Sequence, residues 1–278
     1  MARRIATART ACALVLGAAL VGALTGLASG QQTAAPPASP PGGQIVSKAC
    51  LPGAAAQNGE PTLPNVAAAI AGRKTLRILA IGAAPGRIGP HGGSYTAQIE
   101  RMLQGALKVT AIEVINRGVS GELAANAAVR MKNEVALEEP DLVLWQVGTN
   151  DALAYVPAAD FAATVKDQIA WLKAHKVDLV LVGLQFAPQM LRDAHYVEIR
   201  ETLRRVAADE GVVVVRFFEA MQILNPASNE SQMPAAEEFE RNEAGYNCLA
   251  QYVARAITLG VFAKGLRQPA AVKTPGEK

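Results

Sequence analysis

The sequence lacks the glycine-rich motifs that bind nucleotide phosphates. It contains no G-x-x-x-x-G-K-[ST] sequence, and the segment Gly82-Ala83-Ala84-Pro85-Gly86 does not fit G-x-G-x-x-G. A P-loop NTPase is therefore excluded. The main rival for an α/β chain is a Rossmann dinucleotide-binding fold, and it has no supporting motif. We expect no cofactor and no resident metal ion.

Acidic residues are absent from residues 1–30. Arg3, Arg4 and Arg9 precede an apolar stretch, 11–27, which ends at the small residues Ala28-Ser29-Gly30. This pattern is typical of a secretory signal peptide, and a retained membrane anchor is the alternative. We therefore expect a periplasmic or secreted protein without a membrane span after cleavage. The sequence does not distinguish general secretory from twin-arginine export.

The chain has no excess of charge once that segment is removed. Three of the 27 basic residues lie in residues 1–30, so 24 remain against 24 acidic residues. The remaining sequence also shows no basic stripe and no aromatic platform. Because nucleic-acid binding depends on a positive electrostatic footprint, we do not expect a nucleic-acid partner.

Cysteine is scarce, with three residues in the whole chain. Cys12 belongs to the predicted signal peptide, which leaves Cys50 and Cys248. In an oxidising compartment an isolated pair is a candidate disulfide, and this one would join the N-terminal segment to the last helix. Two separately buried thiols are the alternative.

The remainder of the chain is predicted to form one domain. Residues 31–49 are rich in proline and alanine and indicate a flexible linker. Residues 50–265 have the length of a single folded domain, and residues 266–278 are predicted to be a disordered tail.

Short apolar runs alternate with segments of helical periodicity. The predicted strands cover 76–81, 109–115, 142–147, 177–184 and 212–217, and the predicted helices cover 95–107, 123–137, 161–174, 197–208 and 243–259. Strands that alternate with helices indicate a parallel sheet covered on both faces. With right-handed crossovers, the expected fold is a three-layer α/β/α sandwich around a five-stranded parallel sheet, in the flavodoxin-like class.

Four segments carry the next observation: three predicted turns at one edge of this sheet, and one segment just before the last predicted helix. They are Gly82-Ala83-Ala84-Pro85, Asn116-Arg117-Gly118-Val119-Ser120-Gly121, Gly148-Thr149-Asn150-Asp151 and the segment 237–246, which ends in Asn242-Glu243-Ala244-Gly245-Tyr246. Their order and spacing resemble the four blocks of the SGNH/GDSL hydrolases. That family has a serine, a glycine and an asparagine after its first three strands, and an Asp-x-x-His before its final helix. The resemblance covers about residues 77–259.

The resemblance implies that Gly118 and Asn150 occupy the oxyanion-hole positions. Gly118 would offer its backbone N–H and Asn150 its side-chain amide to the oxygen that becomes negative during attack on an ester. A purely structural role is the alternative at each position. Gly118 could be needed for a sharp turn, and the Asn150 side chain could cap the following turn.

The nucleophile that would attack the ester and the base that would deprotonate this nucleophile are both missing. The resemblance puts Ala84 at the nucleophile position, and no Ser, Thr or Cys lies between Leu76 and Gly93. It puts Glu240 at the histidine position and Glu237 at the aspartate position. Because a methyl group cannot attack a carbonyl, the covalent mechanism of the family is not available to this chain.

Other residues near these segments could in principle supply chemistry. His91 with Ser94, or Ser120 beside Gly118, could replace the nucleophile and base, although Ser94 also fits a helix N-cap and Ser120 a turn hydroxyl. Four carboxylates form a second set: Asp151, Glu237, Glu238 and Glu240. They could bind a cation or act as acid and base, and the alternative is a solvated acidic surface.

The sequence therefore predicts an exported SGNH/GDSL hydrolase-like protein that binds a ligand without hydrolysing it. A saccharide, an acyl ester or a protein partner would occupy the cleft. An active ester hydrolase with a displaced catalytic group is the first alternative. An envelope protein with a filled cleft is the second.

Overall fold

The computed structural model describes residues 45–54, 57–58, 62–72, 74–82, 95–107, 111–186, 190–224 and 235–266, with the backbone alone at 54, 57–58, 224, 235–243 and 264–266. The predicted signal peptide, most of the predicted linker and nearly all of the predicted C-terminal tail lie outside these residues.

Five parallel strands form the sheet in the order β3-β2-β4-β5-β6, and a two-residue strand, β1, pairs antiparallel with β6. The strands are β1 (Gln57–Asn58), β2 (Leu76–Gly82), β3 (Ile112–Gly118), β4 (Leu142–Gln146), β5 (Asp178–Val182) and β6 (Val213–Val215). The order of the parallel strands is that of the flavodoxin-like folds. The predicted α/β/α class and its five-stranded parallel sheet are confirmed.

Nine helices lie in the described part of the chain: α1 (Leu51–Ala54), α2 (Pro64–Ala71), α3 (Tyr95–Leu107), α4 (Ala124–Glu138), α5 (Thr149–Leu153), α6 (Ala158–Ala174), α7 (Ala194–Asp209), α8 (Phe217–Leu224) and α9 (Ala235–Leu266). Alternate residues of each strand point to opposite faces of the sheet. One face packs on α2, α3, α8 and α9, and the other on α4, α6 and α7. The central strands β4 and β5 are buried along their whole length, which explains their continuous apolar runs.

Strand β3 runs three residues further along the chain than the sequence predicted, from Ile112 to Gly118 instead of 109–115. All seven of its residues pair with β2, from Leu76 opposite Ile112 to Gly82 opposite Gly118. Because β3 is the edge strand of the sheet, its polar residues Asn116 and Arg117 can face outwards. The segment predicted as a turn, 116–121, therefore begins inside β3, and Gly118 is the last residue of this strand.

The last helix is longer than the predicted 243–259, because it begins at Ala235 and ends at Leu266. Residues 235–244 contain alanine and glutamate but no proline or glycine, so helix propensity favours their inclusion. The segment that contains Glu237 and Glu240 thus belongs to the first turns of α9. The predicted strand 212–217 is also shorter, since β6 ends at Val215 and α8 begins at Phe217.

The predicted disulfide between Cys50 and Cys248 is present, with a Cα–Cα distance of 5.3 Å. Both residues are buried. Neighbouring hydrogen bonds join the same two segments: Ser47 N donates to Gln251 Oε1 at 2.6 Å, and the Tyr252 hydroxyl donates to the carbonyl of Cys50 at 2.7 Å. The N-terminal end of the described chain is therefore fixed to α9.

None of the helices in the described ranges is long and apolar enough to cross a membrane. The same residues contain no group of three or more His, Cys, Asp or Glu side chains arranged to hold a metal ion.

Candidate functional site

The carboxyl ends of β2, β3 and β4 meet at the edge of the sheet where the strand order reverses. Gly82, the last residue of β2, pairs with Gly118 of β3 on one side and with Gln146 of β4 on the other. In open α/β sheets, ligands bind in the crevice outside this switch point. This edge is therefore the candidate site.

Gly82 allows the close approach of β2 and β4 at this point. Its φ of +87° lies in the left-handed region, and a Cβ atom there would collide with the carbonyl oxygen of Gln146. A side chain would thus be strained by its backbone conformation and would also push the strands apart.

Gly118 donates its backbone N–H to Oδ1 of Asn116 at 2.9 Å. The next residue, Val119, donates to the carbonyl of Gly82 at 2.9 Å, which continues the contact between β2 and β3 beyond the strand ends. Gly118 is not among the glycines with positive φ in the described residues. Its backbone dihedrals therefore do not require glycine, and its one N–H donor is occupied by a local acceptor.

Asn150 lies in the short helix α5, where the sequence predicted a turn. Its Nδ2 atom donates to the carbonyl oxygen of Glu122 at 2.9 Å. Glu122 follows Gly118 by four residues, so this bond holds the two predicted oxyanion-hole segments together. Within the described part of the chain, the second N–H and Oδ1 of Asn150 have no hydrogen-bond partner.

Asp151 is almost completely buried beside Asn150. Its Oδ1 accepts a hydrogen bond from the backbone N–H of Ala124 at 2.9 Å, at the start of α4. No described residue bonds its buried Oδ2. Burial raises the pKa of Asp151, and hydrogen bonds from backbone amides, including that of Ala124, partly offset this rise. Asp151 thus caps α4 and does not belong to a solvated acidic surface.

Sequence reasoning missed the ion pair that supports this loop. Both carboxylate oxygens of Glu122 accept hydrogen bonds from the guanidinium of Arg130, at 2.9 and 2.7 Å. The Glu122 side chain is only 6% exposed, and that of Arg130 is 26% exposed. A spacing of eight residues between loop and helix is not a helical pairing pattern, so no sequence signal indicated it.

A second group of hydrogen bonds joins α5, the segment after β5, α7 and α9 at the same edge. The backbone N–H of Gln185 donates to Thr149 Oγ1 at 3.0 Å, and its Nε2 donates to the hydroxyl of Tyr246 at 2.7 Å. The hydroxyl of Tyr196 donates to the carbonyl of Gln185 at 2.8 Å. Burial raises the pKa values of Tyr196 and Tyr246 to about 12, so both are neutral phenols near neutral pH.

The side chains of several predicted site residues are not among those described. Ala84, His91 and Ser94 lie outside the described residues, and of Glu237, Glu238 and Glu240 only the helical backbone is described. Ser120 is exposed in the turn after β3.

The two histidines in the described chain have local partners. His175 lies against the ring of Trp171 at a centroid distance of 3.9 Å, and His195 stacks on Tyr155 at 5.2 Å. In the described ranges, neither histidine forms a hydrogen bond to the Asn150 carboxamide, to the Ser120 hydroxyl or to any other hydroxyl.

A cavity of about 290 Å³ lies at the opposite edge of the sheet, beside the amino ends of β5 and β6. Its buried carboxylate, Asp178, accepts hydrogen bonds from the backbone N–H groups of Asn65 and Val66 and from the Asn65 side chain. These bonds fix the start of α2, so the cavity presents no unsatisfied carboxylate oxygen and is distinct from the candidate site.

Comparisons with known proteins agree with this architecture. The model of the non-GDSL lipase-like family matches residues 49–263. An acetylxylan esterase from Geobacillus stearothermophilus is 27% identical over 188 residues, which are 62% of this chain and 84% of that protein.

Solved structures show the same fold. A lipase/acylhydrolase from Enterococcus faecalis aligns with a TM-score of 0.54 at 20% identity, over 66% of this chain and 96% of that chain. The acetylxylan esterase structure aligns with a TM-score of 0.53 at 20% identity, over 66% and 94%. The fold is thus that of the SGNH/GDSL hydrolases, as the sequence blocks predicted. Within that class, the chain belongs to the non-GDSL lipase-like family.

Proposed function

We propose that this protein is an exported member of its family that binds a ligand at the switch point of the sheet and does not hydrolyse it by the serine–histidine mechanism. The observation that carries the proposal is the pair of residues at the two reacting positions. By the sequence resemblance, Ala84 falls at the nucleophile position and Glu240 at the histidine position, while Gly118 and Asn150 fall at the oxyanion-hole positions.

The hydrogen bonds of the two oxyanion-hole positions support binding over hydrolysis. An oxyanion hole needs donors aimed at the place where negative charge develops. The N–H of Gly118 is bonded to Asn116, and one N–H of Asn150 is bonded to the carbonyl of Glu122. Only the second N–H of Asn150 remains for a ligand among these donors, which suits recognition of a polar group better than stabilisation of an oxyanion.

The proposed ligands are a saccharide, an acyl ester or a protein partner. The acetylxylan esterase relative favours an acetylated saccharide as the first ligand to test. Export is part of the proposal, because the disulfide between Cys50 and Cys248 is the kind of bond that persists in oxidising compartments. N-terminal sequencing of protein recovered outside the cytoplasm, with a start near residue 31, would support it.

The second candidate is an ester hydrolase with a displaced catalytic group. The esterase relative supports it, as does Ser120, which is exposed two residues after Gly118. This mechanism would need one of His91, Ser94 or Ser120 to act in the reaction.

Two assays on the purified protein separate these candidates. In the first assay, we expect the protein to hydrolyse p-nitrophenyl acetate no faster than a heat-treated control. In the second assay, calorimetry, we expect saturable binding of acetylated xylotriose, and decanoate serves as the acyl probe. Activity well above the control that is abolished by His91→Ala, Ser94→Ala or Ser120→Ala would establish the second candidate and overturn the first.

A further inference from the structure

Gln146 ends β4 at the switch point with a carboxamide that no described residue bonds. The residue is 4% exposed. Both its Oε1 and its Nε2 are buried, and neither forms a hydrogen bond to any described residue. Buried polar side chains in native proteins are nearly always hydrogen-bonded, because an unpaired amide away from water costs free energy. An unpaired buried amide at a ligand-binding edge therefore points to a partner other than the described residues.

The alternation of β4 shows which side of the sheet the Gln146 side chain takes. Leu142 and Leu144 belong to the core beneath α3 and α9, whereas Val143 and Trp145 belong to the opposite core. Gln146 continues the first series. Its carboxamide thus lies on the α3 and α9 side, at the end of the strand that adjoins Gly82.

Tyr95 supplies a second unpaired polar group on the same side. It begins α3 and is 2% exposed, and its buried hydroxyl forms no hydrogen bond within the described ranges. Its ring packs edge-on against that of Tyr246 at a centroid distance of 6.3 Å. Burial raises the pKa of the Tyr95 hydroxyl far above its usual value, so the group remains a neutral donor and acceptor.

We infer that the Gln146 carboxamide and the Tyr95 hydroxyl are specificity-determining groups that bind a neutral ligand group able to donate and accept hydrogen bonds, as a saccharide hydroxyl does. This inference rests on the proposed binding function and adds the residues and the ligand class.

The chemistry of the neighbouring side chains supports a neutral ligand. The amide oxygen accepts, the amide nitrogen donates, and the phenol does both. Three further polar side chains, connected to Tyr95 through the ring of Tyr246, are also uncharged: Thr149, Gln185 and Tyr246. A carboxylate or phosphate would find no cationic partner among these five side chains. A hydroxyl can satisfy both halves of the carboxamide.

The first test measures stability in the full chain. Gln146→Met removes the unpaired amide at nearly constant volume, so we expect Tm to stay the same or to rise by about 2–4 °C, and the same for Tyr95→Phe. Matched controls remove buried groups that do have partners: Gln251→Met, whose amide accepts from Ser47, and Tyr252→Phe, whose hydroxyl donates to Cys50. Both controls should lower Tm. A Gln146→Met variant that loses Tm as the controls do would overturn the inference, because the amide would then serve the fold.

The second test measures binding of acetylated xylotriose and of decanoate by calorimetry. We expect Gln146→Met and Tyr95→Phe each to weaken acetylated xylotriose binding at least tenfold, while both controls bind like the parent. If the parent binds this probe and Gln146→Met binds it equally well, the inference fails and the proposed function stands. Tighter binding of decanoate than of the saccharide would contradict the neutral ligand class. A parent protein that binds neither probe counts against both proposals.

Discussion

The side chain of Asn150 donates a hydrogen bond to the backbone carbonyl of Glu122 at 2.9 Å, between residues 28 positions apart in the chain. The next residue, Asp151, accepts from the N–H of Ala124. Both polar residues that end the Gly-Thr-Asn-Asp sequence therefore hold the connection between β3 and α4 against α5. In this protein, a motif associated with catalysis also stabilises the fold.

We predict that Asn150→Ala lowers the free energy of unfolding by about 0.5–1.5 kcal/mol, the usual net value of one hydrogen bond. Urea denaturation followed by circular dichroism measures the change. The control is Asn126→Ala, which replaces an exposed asparagine on α4 and should change stability by less than about 0.5 kcal/mol. An unchanged urea midpoint for Asn150→Ala would mean that the bond to Glu122 does not contribute to stability.

The ion pair between Glu122 and Arg130 gives a second prediction. Arg130→Met leaves the buried Glu122 carboxylate without its partner, so we expect a loss of up to about 3–5 kcal/mol in unfolding free energy. Arg117→Met is the comparison, because Arg117 is 44% exposed where it pairs with Glu134 and Glu138. Each of these two partly exposed pairs should contribute less than about 1 kcal/mol. Equal losses in the two variants would show that the burial of Glu122 is not decisive.

The parts of the molecule that sequence could predict are those set by local periodicity. The apolar runs of β2, β4 and β5 and the helical spacing of α3, α4 and α6 define the fold class. The pairing of Cys50 with Cys248 followed from their isolation in a chain that the sequence predicts to be exported. The position of β3 did not follow, because its last residues are polar and only pairing with β2 extends it to Gly118.

The interactions of the candidate site were less predictable because they also join residues that are distant in the sequence. Asn150, Asp151 and Glu122 make their bonds to residues 8 to 28 positions away, so no local pattern reports them. That Gln146 has no hydrogen-bond partner in the described part of the chain is likewise a property of the assembled sheet. In the sequence it is only one polar residue within an apolar strand.

Asp151 gives the protein a predicted pH dependence. Burial raises its pKa above the ordinary value of 3.8, so the folded state binds more protons than the unfolded state between that value and the raised one. The free energy of unfolding therefore falls as the pH rises through this window. Asp151→Asn keeps an acceptor for Ala124 but carries no charge. We expect its stability relative to the parent to increase as the pH rises from about 3.8.

Chemical denaturation of both proteins from pH 3 to pH 7 checks this prediction. A stability difference that does not vary with pH would show that the Asp151 carboxylate titrates equally in the folded and unfolded chains. If the stability of Asp151→Asn relative to the parent decreased as the pH rises, the pKa of Asp151 would be lowered in the folded state. That result would contradict the effect of burial.

The two reacting positions define the last prediction. We expect Ala84→Ser with Glu240→His, and with Glu237→Asp as a third change, to produce weak hydrolysis of p-nitrophenyl acetate. Asn116→Ala added to that variant should increase the rate further, because it frees the N–H of Gly118, and one oxyanion donor contributes about 10²–10³ in rate. Asn116→Ala alone is the control and should remain inactive. If the triple variant folds and is active but Asn116→Ala leaves its rate unchanged, the Gly118 N–H is not an oxyanion donor. If the folded triple variant shows no activity, the assignment of Ala84 and Glu240 to the reacting positions is wrong.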